Sequence, residues 1–136
     1  MKKMADKVEI LAEQDIVIAR QRGRAIAREL GFSIVDQSRI ATSISELARN
    51  IFLYAGKGTV HIRPLDKNGK LGIEIVAEDR GPGIRDTKLA MLDGFSTSNG
   101  LGMGLPGTQR LMDEFQLNSE PGVGTTVVVR KWFSGM

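Results

Sequence analysis

Two glycine clusters and one acidic residue mark where chemistry concentrates in this sequence. Asp79-Arg80-Gly81-Pro82-Gly83 is followed, after a polar stretch, by Gly100-Leu101-Gly102-Met103-Gly104-Leu105. Between them, Phe95-Ser96-Thr97-Ser98-Asn99 is too polar to be core. Glycine lets a backbone approach a ligand closely or take positive φ. Successive backbone N–H groups in such loops form concave anion sites, and the N-terminus of a following helix adds positive partial charge. The pattern predicts a phosphate-binding lid between glycine hinges, with Asp79 at its entrance.

The familiar phosphate loops do not account for it. Gly102-Met103-Gly104-Leu105-Pro106-Gly107 matches G-x-G-x-x-G, but the dinucleotide reading needs a strand just before it and a long βαβ remainder after it. Polar Ser96 to Asn99 precede it instead. A Walker A loop needs Gly-Lys-Ser/Thr, and Gly56-Lys57-Gly58 fails that test. The His-Arg-Asp and Asp-Phe-Gly motifs of ordinary protein kinases are absent.

The elements that must position these loops follow from periodicity. Val8 to Ala12 reads as an edge strand. Gln14 to Leu30 has helical spacing, with Ile16, Ala19, Gly23, Ile26, Ala27 and Leu30 on one side and Gly31 as C-cap. Arg20, Arg24 and Arg28 form a basic stripe on that helix, either a solvated face or a docking surface for an acidic partner. Ser33 and Asp36 approximate a capping box for a second helix, Ile34 to Tyr54. Its apolar face is Ile40, Ile44, Leu47, Ala48 and Ile51, and Ser43, Glu46 and Asn50 share an adjacent stripe. Thr59 to Leu65 and Leu71 to Ala77 alternate as strands around an Asn68-Gly69 turn. A short amphipathic piece, Asp86 to Leu92, precedes the lid. Leu105 to Phe115 reads as a helix with Pro106 in its first turn. Pro121 to Gly124 is a turn, and Thr125 to Val129 a β-branched strand ending near Trp132. Strand, two helices, hairpin, lid, helix and two strands make an α+β two-layer sandwich, with helices on one face of a mixed, mostly antiparallel sheet.

Composition bounds the function. The 136 residues, 41% of them hydrophobic, suit one domain spanning 1–136. There is no cysteine, so disulfides, thiolate nucleophiles and cysteine-based zinc sites are excluded. The single histidine, His61, rules out multi-histidine metal sites. Net charge is a mild +3, and aromatics, at 5%, do not interleave with basic residues, which argues against a nucleic-acid reader. No signal peptide or membrane span is legible, so the expected compartment is the cytoplasm, with no membrane partner.

Four stretches occur in order: Glu46-Leu47-Ala48-Arg49-Asn50, Asp79-Arg80-Gly81-Pro82-Gly83, Gly100-Leu101-Gly102-Met103-Gly104 and Gly122-Val123-Gly124-Thr125. They resemble the N, G1, G2 and G3 boxes of the GHKL ATPase superfamily, which includes gyrase B and the histidine kinases. The stretches Ile44 to Asn50, Asp93 to Ser98 and Leu111 to Phe115 are similar to those of the anti-sigma-type serine/threonine kinases, and among these to the stressosome switch kinases. The likeness runs from about Asp15 to Trp132.

The resemblance implies the Bergerat fold and binding of ATP and Mg²⁺. It assigns Asn50 as the Mg²⁺ ligand, a hard amide oxygen suited to an ion that takes few protein groups. Glu46, one turn earlier, would be the catalytic base for a substrate hydroxyl. Asp79 would accept from the adenine amino group, and guanine presents a carbonyl there. Gly81 and Gly83 would let the base lie against the loop, and Thr125 would add a hydroxyl. Gly100, Gly102, Met103, Gly104 and Leu105 would meet the phosphates, under a lid of Ser96, Thr97 and Ser98. Some anti-sigma kinases carry an Arg just before Gly-Met-Gly. Here that neighbourhood is Asn99-Gly100-Leu101, leaving Arg85 and Arg110 as candidate clamps. By resemblance the substrates are STAS-domain proteins of a stressosome, and the released kinase binds and activates a PP2C-type phosphatase. The alternatives are a nucleotide-gated anti-sigma factor or adaptor without productive transfer, and a plain ATPase or detached histidine-kinase domain.

Overall fold

The computed structural model describes residues 5–81 and 104–133. Its strands are β1 (Asp6–Ile10), β2 (Gly58–Lys67), β3 (Lys70–Asp79), β4 (Glu114–Glu120) and β5 (Gly124–Trp132). Its helices are α1 (Gln14–Leu30), α2 (Ile34–Tyr54) and α3 (Gly104–Leu111). The sheet order is β1-β2-β3-β5-β4, and every described pairing is antiparallel. The predicted two-layer sandwich therefore forms, without a parallel pair among the described residues.

Local chemistry sets the boundaries. Strand β1 stops at Ile10 because the Leu11 and Ala12 N–H groups turn to the Asp15 carboxylate, each at 2.9 Å. The apolar run continues to Ala12, but its donors have left the ladder. Gly31 caps α1 at φ 95°, and its N–H donates to the Ala27 and Arg28 carbonyls. Ser33 Oγ accepts from the Asp36 N–H at 3.1 Å and starts α2. Asp36 does not complete the reciprocal half of a capping box; its carboxylate accepts from Arg39 at 3.1 Å. Asn68 and Gly69, at φ 55° and 82°, form the two-residue turn between β2 and β3.

The helix read from Leu105 to Phe115 ends at Leu111 instead. The Asp113 N–H donates to the Arg130 carbonyl at 2.9 Å and pulls the chain into the sheet. Phe115 and Leu117 then alternate on β4, so Phe115 fitted both periodicities. Lys131 helps to end α3: its buried ammonium donates to the Leu111 carbonyl at 3.1 Å, the favourable place for a cation on a helix.

The two faces of the sheet differ in chemistry. Alternation turns Ile73, Ile75 and Ala77 of β3, with Val127 and Val129 of β5, toward the helices, where all are buried. They pack with Ile26 of α1 and Ile40, Ile44, Leu47 and Ile51 of α2 in one core. The opposite face carries a row of alternating charge across four strands. Arg63, Glu74, Arg130 and Glu114 are neighbours in register. Glu74 accepts from Arg63 at 2.6 Å and Arg130 at 2.8 Å, and Arg130 also reaches Glu114 at 3.0 Å.

Glu74 is only 4% exposed, so this row supports the fold. Burial pushes the Glu74 carboxyl up, but the two guanidinium hydrogen bonds outweigh it and hold the group below its usual range. A carboxylate held below its unfolded value stabilises the fold above that value and loses the contribution as pH falls through the folded one. Glu74→Gln is therefore expected to destabilise the protein at pH 7 by about 1.5–3 kcal/mol, the range for hydrogen bonds to charged groups. The deficit should shrink on acidification below pH ~4.5. Urea denaturation at pH 7, 5 and 3 measures it; a deficit constant across that series would contradict this role.

Candidate nucleotide site

The inward-facing row of β3 runs Ile73, Ile75, Ala77, Asp79, and that of β5 runs Val129, Val127, Thr125. Asp79 and Thr125 thus continue the core face one step past the last buried apolar residues. They are register partners and both half-buried. This is where the helix layer ends, because α2 closes at Tyr54 and Ala55 caps it.

The Asp79 carboxylate accepts from the Gly81 N–H at 2.9 Å, and the Thr125 N–H also donates to it. Burial pushes the Asp79 carboxyl above its usual range, and the two backbone donors only partly offset this. Perturbed acids in clefts are functional candidates on physical grounds. Ser119 Oγ lies 2.9 Å from Thr125 Oγ1 and fixes that hydroxyl from β4.

A cleft of about 810 Å³ opens at this end of the sheet. Its lining includes Ala55, Gly58, Asp79, Gly81, Gly124 and Thr125. Two of the glycines are there for close approach. A Cβ on Gly81 would lie 2.6 Å from the Ala55 Cβ, so only glycine lets the loop pass the end of α2. Gly124, at φ 148°, has the Asp79 carbonyl oxygen where a Cβ would stand. Gly124 belongs to the Gly122-Val123-Gly124-Thr125 stretch but had no assigned role in the sequence reading. Ala55 and Gly58 carried no motif at all. The signal for Gly58 was present in Gly56-Lys57-Gly58, which the sequence reading took as the stop of the second helix and as a failed Walker loop.

The remaining residues stand on the helices. Glu46 and Asn50 project from α2, and Leu105 is buried on α3, which packs against α2. Neither Glu46 nor Asn50 lines the cleft around Asp79. Asn50 precedes Ala55 by five residues, about 7.5 Å along the helix axis, and Glu46 lies about 6 Å further back. Asn50 is half-buried. Glu46 is 5% exposed and accepts from Arg49 at 2.7 Å. It is thus a buried carboxylate with a local ion pair. Ser43, on the same stripe, is fully buried, and its Oγ has no hydrogen-bond partner among the described residues. Gly104 opens α3. Gly83, Ser96, Thr97, Ser98, Gly100, Gly102 and Met103 lie outside the described residues, as do Arg85 and the predicted Asp86–Leu92 piece.

These groups suit a magnesium nucleotide. The half-buried carboxylate can receive a donor, and the cleft has the size of a ligand pocket. No cluster of three or more His, Cys, Asp or Glu able to hold a metal exists among the described residues. A single amide such as Asn50 accords with Mg²⁺, which retains waters and is otherwise held by substrate phosphates. No helix among the described residues is long and apolar enough to cross a membrane.

Comparison with known proteins gives the same direction. The family described as histidine kinase-, DNA gyrase B-, and HSP90-like ATPase matches residues 35–134. The chain is 62% identical over 125 residues to serine/threonine-protein kinase RsbT of Bacillus subtilis, covering 92% of this chain and 94% of that protein. It is 34% identical to an anti-sigma F factor of Caldanaerobacter subterraneus, covering 88% and 86%. Among solved structures it is similar in fold to the RsbU and RsbW domains of a Mycobacterium tuberculosis protein. That TM-score is 0.59 at 17% identity, over 93% of this chain and 32% of the other. The SiaB–SiaC complex of Pseudomonas aeruginosa gives a TM-score of 0.57 at 13% identity, over 95% and 89%. Motif order, sheet topology and these matches agree: the chain belongs to the histidine kinase-, DNA gyrase B- and HSP90-like ATPase family, the GHKL superfamily.

Proposed function

We propose that this chain is an ATP- and Mg²⁺-dependent serine/threonine protein kinase that phosphorylates STAS-domain proteins of a bacterial stressosome. Once released by that phosphorylation, it binds and activates a PP2C-type phosphatase. The observation that carries this reading is the 62% identity to the kinase RsbT over nearly the full length of both chains. The buried Glu46 one turn before Asn50 supports transfer rather than binding alone.

Each residue has a distinct task. Asp79 accepts a hydrogen bond from the adenine amino group, and Thr125 stands beside it. Gly81 and Gly83 leave room for the base. Asn50 offers its amide oxygen to Mg²⁺. The backbone from Gly100 to Leu105 cradles the phosphates, and Ser96, Thr97 and Ser98 cover them. Glu46 takes the proton of the substrate hydroxyl. When bound, ATP supplies the phosphoryl group and Mg²⁺ spreads its negative charge. A second reading, a nucleotide-gated adaptor without transfer, draws support from Asn99-Gly100-Leu101, which holds no Arg before Gly-Met-Gly.

The direction of the Asp79 shift gives a pH test. A folded carboxyl raised above its ordinary value keeps its proton over a window in which a free aspartate has lost it. An adenine amine needs the ionised acceptor, so binding must expel that proton. ATP affinity should therefore fall as pH drops through the raised Asp79 value. Asp79→Asn should weaken binding by about 1.5–3 kcal/mol and remove that part of the pH dependence. Calorimetry of both proteins with ATP at several pH values isolates the Asp79 contribution, since the titration of ATP itself is common to both. Equal affinity of the wild type for GTP and ATP would refute the adenine assignment.

Catalysis is tested with labelled ATP and STAS-domain proteins encoded in the same genome. Glu46→Gln should bind ATP normally yet transfer phosphate about 10²-fold more slowly, the lower end for general-base assistance because phosphoryl transfer can be loose. The substrate complex should persist longer on gel filtration. Wild-type chain that forms a nucleotide-dependent complex but transfers nothing would establish the adaptor instead.

A further inference from the structure

The ion pair on α2 has a geometry that the proposed reaction can use. Arg49 Nη1 donates to Glu46 Oε1 at 2.7 Å, and the two residues are three positions apart on the helix. The pair is asymmetric: the Glu46 side chain is 7% exposed and that of Arg49 35%. A carboxylate buried to this degree requires a counter-charge, and Arg49 supplies one from the more exposed side.

The bond also fixes direction. The terminal torsion of a glutamate is broad and two-fold, so an untied carboxylate samples many planes. A donor holding Oε1 selects one plane and thereby aims the second oxygen. A catalytic base is commonly oriented by a third group in this way. Arg49 lies on the turn between Glu46 and Asn50, so it is within one helical turn of both.

We propose that Arg49 is the positioning residue of the phosphotransfer, holding the Glu46 carboxylate in the orientation that receives a substrate hydroxyl. The proposal rests on the reading of Glu46 as the base, and the test separates the two. Single-turnover transfer from ATP to the STAS-domain protein that accepts phosphate is measured for wild type, Arg49→Ala, Arg49→Lys, Glu46→Gln and the double variant Glu46→Gln/Arg49→Ala. Calorimetry with ATP and thermal melting accompany each.

Arg49→Ala should slow transfer about 10–10²-fold while ATP affinity holds within about twofold. Arg49→Lys, a point charge without the planar fork, should fall between it and wild type. The decisive comparison is the double variant. If Arg49 acts through Glu46, removing it from the Glu46→Gln chain costs no further rate. An equal loss in both backgrounds would overturn the proposal, because Arg49 would then act independently of the base. So would wild-type transfer by Arg49→Ala when Glu46→Gln is slow. If Glu46→Gln itself transfers at the wild-type rate, the base assignment falls first, and the orientation role falls with it. Should Arg49→Ala melt below the assay temperature, Arg49→Lys alone and with Glu46→Gln decides by the same comparison, since it keeps the counter-charge.

Discussion

Helix α2 has to serve two surfaces at once, and the rest of the molecule is arranged around that demand. Its core stripe, Ile40, Ile44, Leu47 and Ile51, is buried to 2% exposure or less against the sheet and α1. The polar stripe, Ser43, Glu46 and Asn50, precedes three of those residues by one position each. One position is about 100° of rotation. The polar groups therefore cannot shift without pulling the apolar face out of the core. Large-to-small changes in such a core typically cost about 2–5 kcal/mol, so the orientation of Glu46 and Asn50 is strongly held.

The sheet supplies the complementary half of the site by the same logic of alternation. Asp79 faces inward because Ile73, Ile75 and Ala77 do, and a one-residue slip would turn it to the outer face. Register is therefore the device that presents the carboxylate. Gly124 secures it where β5 begins, since the Asp79 backbone occupies the space a side chain would need. The charged outer row, centred on Glu74, joins β2, β3 and β5 midway along the same strands. A buried carboxylate with two guanidinium partners across three strands favours one pairing over its neighbours.

Much of this was legible in sequence. Helices α1 and α2 have the predicted boundaries, because caps and 3.6-residue periodicity coincide at Gly31 and Ser33. The hairpin turn at Asn68-Gly69 was marked by its own chemistry. What sequence misread was set by hydrogen bonds that hydrophobic periodicity does not register, one of them long-range and one local. The end of α3 depends on a donor from Asp113 finding Arg130, and the end of β1 on Asp15 reaching back to Leu11 and Ala12. Part of the site was legible as well: Asp79 and Gly81 do share a cleft with Thr125. Ala55 and Gly58 were not, because their contribution is the space they leave at a junction that only folding creates. Burial of Glu46 was also hidden, since its pairing with Arg49 reads in sequence as an ordinary surface contact.

The two perturbed carboxylates of β3 show how scaffold and site divide their tasks. Glu74 and Asp79 are five residues apart on one strand, hence on opposite faces. Glu74 meets two guanidinium groups and is held below its usual range; Asp79 meets the Gly81 and Thr125 backbone donors, and burial pushes it above its own. Their contributions to stability run in opposite directions with pH. Glu74 supports the fold above its unfolded value. Asp79 favours the fold below its own and loses that contribution as it ionises. Full ionisation of Asp79 thus leaves a desolvated charge whose two backbone donors do not fully compensate it. A ligand that brings another donor to that oxygen relieves a cost the folded chain already carries. In the proposed nucleotide site, binding energy at this position would come from completing that acceptor, and a ring presenting a carbonyl there would add to the deficit. The discrimination proposed for Asp79 would follow from how little the strand itself provides for it.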